Sequence, residues 1–202
     1  MKTHHRIASY FAAIMAAAIA IDTVVIIATG DRTVVTDDAN ASTAASVAMS
    51  LAIACAFAAG AFVLHRERQL FAGARKSLRV FRRIALVSLV GLAVGMGVLN
   101  PIQQIADIES GPFYDVSGMV AGLTLLGVLV SGLALGLLSL RRNELGLGGR
   151  ILSLLIPVIV ATVALAALAP DVASPVFMTL TLMLGFGTIG ARPGRSTVPA
   201  VA

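Results

Sequence analysis

Tryptophan is absent, cysteine occurs once, and only 12% of the residues are charged. Each scarcity excludes something. A single cysteine, Cys55, permits no intrachain disulfide and no thiolate metal cluster. Its place inside an apolar run predicts a small side chain packed between helices. Without tryptophan, and with both tyrosines near the ends of apolar runs, the chain has no stacking platform for bases. The net charge of +5 therefore does not indicate nucleic acid. Soluble domains carry about a quarter charged residues, whereas this chain is 58% apolar with a mean hydropathy of +0.95.

What the chain has in abundance is long apolar runs. Six extend over 7–28, 44–64, 84–105, 116–140, 151–169 and 175–191. A helix crosses a bilayer in about 20 residues, and all six runs fall within the range that does so. They are continuous rather than alternating, which favours helices over a barrel. The predicted fold is all-α: one polytopic transmembrane domain over 1–191 with six spans, followed by a disordered tail over 192–202.

Charge supplies the orientation. Of 15 Lys and Arg residues, all but Arg32 fall in alternate gaps between the runs. Lys2 and Arg6 precede the first run, a basic cluster from Arg66 to Arg83 separates the second and third, and Arg141, Arg142 and Arg150 follow the fourth. Arg192 and Arg195 follow the last. The other gaps carry Asp31, Asp37, Asp38, Asp107, Glu109, Asp115 and Asp171. The positive-inside rule then places both termini in the cytoplasm and three acidic loops outside. Ala18-Ile19-Ala20 resembles a signal-peptide cleavage site, but the apolar run continues through Ile27, which favours a retained first helix.

Two sets of residues stand out as candidate sites. Asp22, Asn100, Gln103 and Gln104 are polar groups within the apolar runs. Counted at 1.5 Å per residue from the basic ends, Asp22 and Asn100 reach a similar level. Ser50, Ser117 and Thr179 approach it from the outer ends of their own spans, and Pro101 frees a nearby carbonyl. One reading is an outward-facing polar pocket for a small solute or cation. The other is a set of groups close enough to the outer interface to reach water. The second set is Arg68, Arg75, Lys76, Arg79, Arg82 and Arg83, which face opposite Leu70, Phe71, Ala74, Leu78 and Phe81 on a helix. That helix is predicted to lie in the headgroup layer against anionic lipid. It would equally offer a docking surface to a cytoplasmic or membrane partner.

Small residues recur four apart at Ala12/Ala16/Ala20, Gly91/Gly95, Gly118/Gly122 and Gly132/Gly136, a spacing that lets helices approach closely. Gly146 to Gly149 reads as a flexible hinge. No hydrolase, protease or phosphate-loop motif occurs, and no enzymatic activity or cofactor is predicted. His4, His5 and His65 have only Glu67 as acidic company, so no metal site is predicted. Asp37-Asp38 and the pair Asp107 and Glu109 read as solvated loop charges.

Several short motifs point to a family. R-I-A near the first span, Asp37-Asp38-Ala39-Asn40-Ala41, R-R-I-A-L-V entering the third span, V-L-N-P-I at its outer end and G-G-R-I-L-S-L-L entering the fifth are shared features. With them the chain resembles small six-to-seven-helix membrane proteins of actinobacteria, known only as a domain of unknown function. The resemblance implies a multi-pass protein of a bacterial plasma membrane and carries no catalytic residues. Six helices, both ends inside and alanines four apart in the first span also resemble the membrane-bound binding subunits of energy-coupling vitamin transporters, from which the long basic loop departs. The expected function is a small carrier or transporter subunit; the alternative is a non-catalytic accessory protein docking a partner through the basic loop 65–83. An intramembrane enzyme ranks last.

Overall fold

The first helix is apolar on every side, so side-chain size and polarity decide which face packs. The computed structural model describes residues 2–30, 33, 42–140, 143–168 and 176–191. Helix α1 (Thr3–Thr29) buries His5, Ala8, Ala12, Met15, Ile19 and Asp22. Steps of three and four residues keep these on one seam. Small side chains fill its middle, and a polar residue marks each end.

The chain continues through α2 (Thr43–Arg66), whose amide at Ala45 donates to the Ser42 hydroxyl, and through a tight 3₁₀ turn over Glu67–Phe71. Next comes one rod built of α3 (Lys76–Val94), a wide π turn (Gly95–Leu99) and α4 (Asn100–Ile105). Helix α5 (Pro112–Leu140) returns. Helices α6 (Gly146–Ser153) and α7 (Leu155–Leu168) follow, broken at Leu154. Pro157 lacks an N–H and crowds the Ser153 carbonyl, which accounts for the break. Helix α8 (Val176–Gly187) ends the described helices.

Among the described residues, five helical stretches are long and apolar enough to cross a membrane: Thr3–Thr29, Thr43–Phe71, Lys76–Ile105, Pro112–Leu140 and Gly146–Leu168. The sixth apolar run gives α8, of which 12 residues are described. It is also the hub, packing on α1, α2, α5, α6 and α7 and burying Leu182, Met183 and Phe186. Hydropathy alone does not separate a central helix from a peripheral one. The opposite case is α7, where Leu155 is the one buried residue and Val160, Val163 and Leu168 are exposed. Such a face would be a liability in water and costs nothing against lipid.

Helix α6 meets the end of α8 head to tail. The amides of Leu147 and Gly148 donate to the carbonyls of Ala191 (3.0 Å) and Thr188 (3.1 Å), and the Gly190 amide donates to Leu145 O at 3.0 Å. Orphan donors of one helix start thus satisfy orphan acceptors of another helix end. Glycine makes this possible. A Cβ on Gly148 would overlap the backbone of Ile189 and Gly185, and one on Gly136 would lie 2.6 Å from the Leu152 carbonyl carbon. Gly146–Gly149 is therefore a tightly packed helix start, with Gly146 at φ +63°, and the expected flexible hinge is corrected.

Three further expectations change. The in-plane helix over 66–83 does not form: the chain turns between Phe71 and Lys76, where α3 begins. Its apolar residues find protein instead of headgroups, since Phe71 and Leu78 are buried. Arg82 is drawn in with them, its Nε donating to Leu64 O at 3.3 Å and its guanidinium lying over the Phe71 ring. Arg68, Arg75, Lys76, Arg79 and Arg83 stay exposed. Cys55 is exposed rather than packed between helices, because an apolar thiol has no reason to avoid an apolar surround. Among the small-residue pairs, Gly91, Gly132 and Gly136 make close approaches, while Gly95, Gly118 and Gly122 face open space. The loop 34–41, Asp31, Arg32, Arg141, Arg142, Asp171 and the tail 192–202 lie outside the described residues.

Candidate functional site

Pro101 organises the far end of the third rod. It offers no N–H, and its ring crowds the carbonyl four residues back. The helix widens ahead of it over Gly95–Leu99, where the Asn100 amide bonds to Gly95 O, five residues earlier. One inserted residue rotates everything downstream by about 100°, and such turns are frequent at functional sites. Gly97 allows the widened turn to lie against Ala54 of α2, where a Cβ would stand 3.1 Å from that of the alanine.

The rotation opens a cavity of about 790 Å³ between α2, the π turn, α4 and the start of α5. Small-molecule sites occupy about 300–1,000 Å³. Ser46, Asn100, Gln103, Gln104, Tyr114 and Ser117 supply polar lining, with Asp107 and Glu109 exposed at the rim. Asn100 Nδ2 donates to Ser50 Oγ at 2.8 Å. Gln103 donates to Ser117 Oγ, whose hydroxyl donates to Tyr114 O at 2.9 Å. These bonds fix two of the three amides. The third is different: Gln104 Oε1 is buried and makes no hydrogen bond. A buried acceptor left in that state costs about 1–3 kcal/mol.

The rim has a second marked feature. Asp107 has φ +52° and closes α4 in a glycine-like conformation, with the Ile108 amide donating back to Gln103 O at 2.9 Å. Glycine usually takes this position; aspartate there holds a carboxylate at the cavity mouth. Two carboxylates and no Lys, Arg or His among the described lining residues give the site a negative bias.

Of the four residues predicted for a polar pocket, Asn100, Gln103 and Gln104 line this cavity and Asp22 does not. Asp22, only 2% exposed, accepts from the Thr33 amide at 2.9 Å and from the Thr33 hydroxyl. Equal depth along two helices does not make them neighbours: α1 packs on α2 and α8, while α4 packs on α2. Thr179 also lies outside the lining. Sequence reading missed Ser46, Tyr114 and the rim role of Asp107; the proline after a Gly-x-Gly segment was the signal for a widened turn.

At the opposite end of the bundle the structure gathers His4, His5 and Glu67, with His65 exposed and apart. The signal for His5 was present in the sequence, since stepping back from Asp22 by three and four residues along the α1 seam reaches it.

No protein-family model matches the chain, and neither a curated protein nor a solved structure is similar to it.

Proposed function

We propose that this chain is a multi-pass protein of a bacterial plasma membrane, with both termini cytoplasmic, whose cavity binds a small cationic or zwitterionic solute. It acts as a carrier or as the binding subunit of a transporter. The observation that carries this reading is an acid-rimmed cavity lined by three amides, one of which, Gln104, keeps its buried carbonyl unpaired. A solute bearing an N–H donor and a positive group satisfies both. Insertion in a bilayer is supported by the five long apolar helices and by the exposed apolar face of α7. The confinement of every Lys and Arg but Arg32 to alternate gaps supports the orientation, and that orientation turns the cavity outward.

Melting temperatures of the purified, detergent-solubilised protein, measured across amines, amino acids, sugars and organic anions, test this. An amine-bearing solute is expected to raise the melting temperature, by about 2.7 kcal/mol of stabilisation at a hundred times its Kd. Gln104→Leu should weaken it up to about tenfold, the equivalent of one neutral hydrogen bond. Asp107→Gly should leave the fold as stable or more so, relieving the left-handed strain, yet weaken the cationic solute by more than Gln104→Leu does. Stabilisation by anions alone, or an unchanged response in both variants, would reject the site.

A second reading rests on the exposed Arg75, Lys76 and Arg79 at the turn before α3. As a docking surface for a cytoplasmic partner, this turn predicts that neutralising all three releases the partner while solute binding persists.

A further inference from the structure

We propose that His4, His5 and Glu67 form a binding site for one divalent transition-metal ion of the Zn²⁺ class, independent of the solute cavity. The ligand atoms of the three side chains lie within 4.8 Å of one another.

The protonation of His5 follows from its partner. Its Nδ1 lies 3.2 Å from the carbonyl oxygen of Gly187. A carbonyl only accepts, so Nδ1 carries the proton and Nε2 keeps its lone pair. That Nε2 is buried, makes no hydrogen bond and stands 3.5 Å from Glu67 Oε1. Nothing donates to His5 Nε2, and the oxygen it faces is itself an acceptor, held by Lys2 Nζ and His4 Nε2. A cation resolves that arrangement, and the backbone carbonyl behind Nδ1 is the kind of outer contact that orients a metal-bound imidazole.

His4 supplies the third direction, its Nε2 donating to the same carboxylate oxygen at 2.8 Å; a metal displaces that proton, as metal binding to imidazole does. Donors in a tetrahedral zinc site, with bonds of about 2.0–2.1 Å, stand about 3.4 Å apart. The separations of 2.8 and 3.5 Å to Glu67 bracket that value. Lys2 Nζ now neutralises Glu67 at 2.6 Å, but its side chain is 65% exposed. The Lys2 end of this pair reaches solvent while Glu67 is 6% exposed, so a metal can take the place of the ammonium and leave the carboxylate where it is. Two imidazoles and a carboxylate suit Zn²⁺ and its neighbours rather than Ca²⁺ or Mg²⁺, and they leave a fourth position for water or another ligand.

The fold holds the three groups in place from three elements. His5 and Ala8 lie against Gly187, where a Cβ would come within 2.9 Å of the Ala8 methyl, so α1 approaches the α8 backbone closely enough to reach its carbonyl. Glu67 opens the 3₁₀ turn after α2. Gly190, at φ +79°, passes behind it; any side chain there would press on Glu67 Oε2 and Leu70. Metal binding would therefore fasten the start of α1 to the turn after α2, beside the end of α8.

The test uses the full chain purified through a histidine-free tag, stripped with chelator and titrated with Zn²⁺ against a chromophoric competitor, and separately with Co²⁺. The expected result is one Zn²⁺ per chain, a Co²⁺ absorption band of four-coordinate intensity and a raised melting temperature. His4→Ala and Glu67→Gln should each weaken Zn²⁺ by at least about tenfold, while His65→Ala binds like the parent. His4 is only partly buried, so its variant tests the site even if His5→Ala does not fold. Binding that is substoichiometric, that survives both His4→Ala and Glu67→Gln, or that falls equally in His65→Ala would overturn the proposal and leave a proton as the occupant of the gap.

Discussion

Replacing Gly148 by valine is expected to leave little folded protein. Its Cβ would enter the backbone of Ile189 and Gly185, and backbone yields less readily than a side-chain tip. The cost of overpacking is typically about 1–3 kcal/mol. Here it also threatens the three hydrogen bonds that join the start of α6 to the end of α8, so the loss should reach or exceed the upper figure. Gly136→Val acts on the other side of α6, against Leu152 and Ser153, and should be nearly as damaging. The control is Gly122→Ala. Nothing lies within 4 Å of the added methyl, and alanine is the better helix former by up to about 1 kcal/mol. Monodisperse yield and melting temperature in detergent read all three. Equal behaviour of Gly122→Ala and Gly148→Val would mean that α6 and α8 do not meet as described.

The second large effect belongs to Asp22. Asp22→Leu removes the acceptor of the Thr33 amide and hydroxyl from a buried position. A buried donor left without its acceptor costs about 1–3 kcal/mol, so losing both Thr33 bonds is expected to cost about 2–4 kcal/mol after allowing for partial exposure of Thr33. Asp22→Asn keeps an oxygen acceptor and should cost less than half as much. Neither change should alter solute affinity, because Asp22 is not part of the cavity lining. A solute response abolished by Asp22→Asn at unchanged stability would move the binding site to α1.

Much of the architecture was legible because it depends on composition over long stretches. Among the described residues, five of the six apolar runs became helices long enough to cross a membrane, and the sixth contributes an apolar helix over Val176–Gly187. What periodicity did not supply was sidedness. In α1, α5 and α7 nearly every position is apolar, so no polar face marks the outside, and neighbours had to be inferred from depth. That inference linked Asn100 with Ser50, which are hydrogen-bonded, and also linked Asp22 with Asn100, although α1 packs on α2 and α8, while α4 packs on α2. The basic segment 66–83 misled for a related reason: its helical amphipathicity was real, but Phe71 and Leu78 had protein to pack against. The pairing of His5 with Gly187 spans 182 residues, beyond the reach of any local pattern.

The most direct test is labelling of single cysteines in intact cells, in a Cys55→Ser background that leaves no other thiol. Gly118→Cys adds a side chain to the cavity wall without a clash, and Lys76→Cys marks the exposed turn at the other end of the bundle. A small, charged, membrane-impermeant thiol reagent should modify Gly118→Cys from outside and Lys76→Cys only after permeabilisation. Labelling with the sides reversed, or of both positions without permeabilisation, would contradict a water-filled cavity open to the exterior of a membrane-spanning bundle.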